Sequence, residues 1–255
     1  MRGSFDVLRA FMWKEAIILR TDRMVLLYLI AFPLLMAALT SSAFGKIPGV
    51  GNGADQAVPG FGVMFAFYGI TFLGISHYRE HGWGAWTAVR ASGLPRWVML
   101  TGVVLPYFVL GVIQFAVTLT AGWAFYGMQV TGSLLAMALT VLSAELAIVG
   151  VGVTLLNITS HMSSMQQANH VVVLVGAAAS GALLPYQTMP KVVQVIAHAT
   201  PQYWALDALK GICADHFGVS SVLPDVGVLV GMGVVLLILG AGAFNPAKTR
   251  KVALR

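Results

Sequence analysis

Residues Tyr78–Trp97 read YREHGWGAWTAVRASGLPRW, a short polar island between two long apolar runs. The island carries Arg79, Arg90 and Arg96 against the single acid Glu80. Wound as a helix, it sets Ala85, Trp86 and Val89 on one side and Thr87 and Arg90 on the other. Gly93 followed by Pro95 is a stop signal, because glycine takes the left-handed cap and proline cannot continue the hydrogen-bond ladder. A short, basic, tryptophan-bearing helix between apolar runs suits a membrane–water interface. There indoles sit at headgroup level and arginines face water.

The apolar runs on either side define the class. Of 255 residues, 58% are hydrophobic and 9% charged, and the mean hydropathy is +0.83. Soluble domains carry about 25% charged residues, so a soluble fold of this length lacks the polar residues to cover its surface. The reading is an all-α integral membrane protein. Its net charge of +6 shows no basic cluster interleaved with aromatics, which argues against nucleic acid as a partner. The charges flank apolar runs instead, as orientation signals do. The single cysteine, Cys213, excludes an intramolecular disulfide. The first apolar run is long enough to span and is expected to stay attached rather than be cleaved as a signal peptide.

Taken in order, residues 1–23 read as an amphipathic interface helix. Phe5, Val7, Leu8, Phe11, Met12, Ile18 and Leu19 share one face, with Asp6, Arg9 and Arg20 opposite and Ser4 as N-cap. Glu15 interrupts the apolar face and needs a partner, either an arginine of this chain or a group on another subunit. Six spans are expected, at 24–44, 61–77, 98–126, 133–156, 165–184 and 225–244, with kinks at Pro33 and Pro106. Gly45–Pro59, rich in glycine and proline, reads as an external loop. Residues 185–224, broken by Pro185, Pro190 and Pro201, read as external half-helices, Val192–Ala199 and Trp204–Ala214, too short to cross. Twelve of the fifteen basic residues fall before span one, in the island or in the C-terminal tail. Only Lys46, Lys191 and Lys210 fall on the other side. That asymmetry places both termini in the cytoplasm and reduces the Asn157-Ile158-Thr159 glycosylation pattern to a chance match.

Glu145 is the one carboxylate well inside a span. A charge at the bilayer centre costs about 2.5–3.5 kcal/mol on insertion scales, so it should face a partner or cavity, or be protonated. Two readings stand: a substrate-path or coupling residue, and a structural contact between spans. The histidines His77, His81, His161, His170, His198 and His216 form no ligand motif, so no metal is expected. Gly150-Val151-Gly152 and the glycines of Gly231–Gly242 read as close helix approaches. Ala178-Ala179-Ser180-Gly181 invites comparison with an intramembrane serine protease. Position 178 is alanine, however, and the last span has no histidine, so that reading fails. No Gly-x-x-x-x-Gly-Lys-Ser/Thr occurs in the chain.

The island pattern Arg79-Glu80-His81-Gly82, Arg90-Ala91-Ser92-Gly93, Arg96 and Leu105-Pro106-Tyr107 resembles the first cytoplasmic loop of ABC-2 type transporter permeases. Other stretches resemble the family in order and spacing. They are Trp13-Lys14-Glu15 with Arg20-Thr21-Asp22-Arg23, Gln166-Gln167-Ala168, Gly181 to Pro185, Met189-Pro190, Thr200-Pro201-Gln202-Tyr203 and Asp207 to Gly211. The resemblance implies that 78–97 is a coupling helix docking on a separate ATP-hydrolysing subunit, which holds ATP and Mg, while this chain binds no cofactor. It implies Glu15, Arg79, Glu80, His81, Gly82, Trp83, Trp86, Arg90 and Arg96 as the ATPase-coupling set. It further implies a second permease copy or paralogue, and a bacterial inner membrane location. One departure is Trp83-Gly84-Ala85-Trp86, where the family often has Glu or Thr-x-Glu after Gly82, which removes a polar contact to the ATPase. The expected cargo is a drug, antibiotic or other amphipathic compound, with Phe65, Phe67, Tyr68, Phe72 and Glu145 along its path. Export of a lipid or glycan intermediate is the alternative within transport. A channel or scaffold without an ATPase is the alternative outside it.

Overall fold

The computed structural model describes residues 2–47, 51–84, 86–87, 91, 93–184 and 186–245, and among these all regular structure is helical. Helix α1 is Arg2–Thr21. Asp22 then accepts a hydrogen bond from the Met24 amide and caps α2, Arg23–Phe44. A wide π turn at Leu27–Ala31 sits just before Pro33. Proline has no N–H to give and its ring crowds the preceding turn, so the distortion expected at Pro33 is taken up one turn earlier.

The helix α3, Gly53–Gly82, begins eight residues before the expected span. The expected loop Gly45–Pro59 is thus shorter, and Pro59 lies inside the helix. Asn52 caps this start by accepting from the Ala54 amide. Every residue from Gly53 to Val63 is buried, and that packing outweighs the one backbone bond lost at Pro59. The remaining long helices are α4 (Arg96–Phe125), α5 (Leu134–Ile158), α6 (Met162–Ser180) and α9 (Val219–Ala243). Between α6 and α9 lie the short helices α7 (Lys191–Ala197) and α8 (Pro201–Ala214), at the expected positions.

Among the described residues five helices, α2, α3, α4, α5 and α9, are long and apolar enough to cross a membrane. The protein is therefore a multi-pass membrane protein, with five such helices where six were expected. The fifth expected span, 165–184, coincides with α6, whose first half (MSSMQQANH) is too polar to qualify. Contacts along α6 explain why that half is helical. Met165 packs on Gly74, Asn169 donates to the Phe67 carbonyl and the Thr71 hydroxyl, and Gln56 donates to the Gly181 carbonyl. Thus α6 runs antiparallel along α3 and buries Asn169 against it.

The connections gather at two ends. At one end lie the island, the α5–α6 turn and Phe244, joined by Tyr78 to Thr159 (2.9 Å) and by Trp86 against Phe244. At the other, Asn52 donates to the Gly127 carbonyl, and the Gly132 amide to that of Ile212. Helix α9 lies along α5, where Asn157 donates to the Gly240 carbonyl. Gly150 and Gly233 face each other so closely that an added β-carbon on either would lie 2.9 Å from the other helix's backbone.

Candidate functional site

The island end is organised by Lys14 and Glu15 of α1. Glu15 is buried, and its carboxylate accepts from Ser76 of α3 at 2.8 Å and Tyr107 of α4 at 3.1 Å. Lys14 pairs with Glu15 at 3.0 Å and with Glu80 near the end of α3. The partners that Glu15 finds within this chain are therefore a lysine and two hydroxyls. Glu15 thereby holds α1 onto α3 and α4. The side chains of Phe5, Val7, Phe11, Leu19 and Arg20 lie outside the described set, while Trp13 and Ile17 are exposed.

Past Gly82 the chain turns through Gly84 at φ 76°. Its two tryptophans part company: Trp83 is 70% exposed and Trp86 3% exposed. The Trp86 ring stacks on His81 at 4.9 Å, meets His77 edge-on at 5.0 Å and stands against Phe244 at 6.3 Å. Trp86 is thus a wedge between α3 and the chain after α9. Burial on this inner side is what its place opposite Thr87 dictates. His81 also bonds the His77 carbonyl through Nδ1 at 2.9 Å, so both histidines belong to this wedge. Arg79 lies over the Trp83 ring at 4.6 Å, a cation–π contact on the outer side. Gly93 takes φ 66° and Pro95 caps α4, so the expected stop is where the sequence put it. Gly82, Arg96 and Trp97 are exposed, and Arg90 lies outside the described residues. The outward face of the island is therefore Trp83 with Arg79, then Arg96 and Trp97.

The expected path residues are placed differently. Phe65, Tyr68 and Phe72 recur along one face of α3 and pack around Tyr28 of α2 at 5.6, 5.2 and 6.0 Å. Phe67 is buried on another face. These rings form the contact between α2 and α3, which large apolar side chains at helical spacing supply. Glu145 is buried and lines an interior cavity instead. The open concavity was not foreseen. It is a groove of about 760 Å³ between α4 and α5, walled by Val112, Leu119 and Trp123 on one side and Met137, Val141 and Leu142 on the other. Its only sequence signal is the run of small and aliphatic residues facing each other on α4 and α5.

Comparison with known proteins agrees with this architecture. The chain is 28% identical over 193 residues to the linearmycin resistance permease protein LnrN of Bacillus subtilis (strain 168), covering 73% of this chain and 48% of that protein. The chain thus spans about half the length of the relative it matches. The profile of the ABC-2 type transporter family matches residues 6–213, the stretch that holds α1, the island and the bundle through most of α8, and on that match the chain belongs to the ABC-2 type transporter family.

Proposed function

We propose that this chain is the membrane subunit of an ATP-driven exporter of antibiotics or other amphipathic compounds, with both termini in the cytoplasm. The observation that carries the reading is the junction at the island end. Lys14 is held between Glu15 and Glu80, and Glu15 in turn accepts from α3 and α4. A push on the island therefore reaches α1, α3 and α4 together. Energy has to come from outside, since the chain has no phosphate-cradling loop. A separate ATPase, holding ATP and Mg, would seat on Trp83, Arg79, Arg90 and Arg96, and a second permease copy or paralogue would complete the path. Six crossings, counting α6, put the island and both termini on the basic-rich side. The groove between α4 and α5 supports an amphipathic cargo, being apolar and of a size that suits small molecules. Resistance to linearmycin, named for the relative, supports the antibiotic class.

Pull-down from mild detergent tests this. The wild-type chain should bring a P-loop ATPase with it. Arg96→Glu with Trp83→Ala should lose it, because a reversed charge in a partly desolvated contact and a lost tryptophan anchor both weaken an interface. Full binding and full substrate-stimulated ATP hydrolysis by the double variant would refute the coupling role.

A further inference from the structure

Between α3, α4 and α5 lies a cavity of about 10 Å³, room for a single water. Gln114 of α4 and Glu145 of α5 line it, each 1% exposed. Gln114 Oε1 and Glu145 Oε1 are both buried and neither meets a hydrogen-bond donor. The Gln114 amide is fixed in orientation. Its Nε2 donates to the Gly62 carbonyl at 3.3 Å and to the Thr118 hydroxyl at 3.2 Å, and turning it over would set one carbonyl oxygen against another. Glu145 is fixed by packing. A β-carbon at Gly111, one turn before Gln114, would lie 2.2–2.3 Å from the Glu145 carboxyl atoms, so the carboxyl fills the notch that glycine leaves.

The cavity wall supplies no donor for these oxygens. Tyr107 lines it, but its hydroxyl donates to Glu15 at 3.1 Å. The other lining residues are glycines and aliphatic side chains such as Leu29, Ile70 and Ile148, from α2, α3 and α5. Among the described residues, Tyr107 is thus the one other titratable group lining the cavity, and none of the lining residues is a cation. Buried acceptors without donors are costly and rare, and a charged carboxylate in apolar surroundings is costlier still.

We propose that this cavity is a proton- and water-binding site, in which Glu145 is a neutral carboxylic acid and one water accepts its proton in a hydrogen bond and donates to Gln114 Oε1. Both orphaned oxygens then belong to one bridge between α4 and α5. The acid ionises only when bulk water reaches it, which requires α4 and α5 to part. The closed arrangement therefore binds the proton more tightly than the parted one. Low pH holds the two helices together, and alkaline pH favours their separation. This inference concerns the bundle interior and stands independently of any ATPase or cargo.

Infrared difference spectroscopy on the full chain in lipid nanodiscs tests it. At neutral pH the wild type should show a protonated-carboxyl C=O band that shifts in heavy water and is missing in Glu145→Gln. Gln114→Leu should retain that band at higher frequency, because the bridge has lost one end. Glu145→Gln should melt within a degree or two of wild type at neutral pH yet lack the wild type's loss of melting temperature at alkaline pH. No protonated Glu145 band at neutral pH, a band indifferent to Gln114→Leu, or the same alkaline profile in both proteins would each overturn the proposal. Should Glu145→Gln fail to accumulate, the wild type with and without Gln114→Leu still decides it.

Discussion

Glu15 shows how a single residue ties the island to the bundle. Its carboxylate takes two hydroxyl donors and one ammonium, and two of those three partners lie 61 and 92 positions away in sequence. Glu15→Ala leaves the Ser76 and Tyr107 hydroxyls without an acceptor, at about 1–3 kcal/mol for each buried group. Lys14 is 38% exposed and is rescued by water and Glu80, so its share is small. The expected loss is about 2–4 kcal/mol, read as a lower melting temperature in detergent. Glu15→Gln, which still accepts from one hydroxyl, should lose roughly half as much. A melting temperature unchanged in Glu15→Ala would mean that α1 is not held at this point. That Glu15 needed a partner followed from its place on an apolar face, but which groups supplied it depended on how α3 and α4 cross beneath α1.

At the scale of elements, α5 and α9 form a pair set by glycine. Gly233 abuts the backbone of Leu146 and Ala147, whereas Gly231 and Gly242 have nothing within 4 Å. Gly233→Leu should drive α9 off α5 and cost about 1–3 kcal/mol by overpacking, visible as weaker detergent stability. Gly231→Leu should sit within about 0.5 kcal/mol of wild type, as surface substitutions do. Equal losses at the two positions would mean that the small-residue pattern does not seat this pair. The sequence marked Gly150 and the 231–242 stretch as packing features but left open which glycines touch, because helix rotation about its own axis is settled by neighbours. The early start of α3 has a similar origin. Gly53 lies so close to Ser41 and Gly45 that a β-carbon would overlap their backbone, and that tight turn lets Asn52 cap the helix eight residues before the apolar run becomes continuous.

For the whole molecule, the sharpest expectation is its orientation. With the island end in the cytoplasm, a membrane-impermeant thiol reagent applied to intact cells should modify a cysteine placed at Gly51 and spare one placed at Thr249. Cys213 does not interfere, since it is buried in α8 and burial pushes its thiol up to about 12. The reverse labelling pattern would overturn both the topology and the docking face proposed on Trp83 and Arg96.

Composition and periodicity alone determined that this chain is a helical membrane protein, where the polar island falls, that Gly93 ends it, and that Trp86 and Thr87 lie on opposite sides of it. Each of these depends on neighbours within a turn or two, or on an average over the chain, so local chemistry suffices. Only the tertiary structure decided that Trp86 is a wedge against His77, His81 and Phe244, that Phe65, Tyr68 and Phe72 close on Tyr28, that the half-polar α6 lies along α3, and that Glu145 and Gln114 line one cavity. Those outcomes turn on which face of each helix meets which neighbour. In an apolar solvent hydrophobicity no longer distinguishes inward from outward, and close packing and hydrogen bonds between distant segments decide instead.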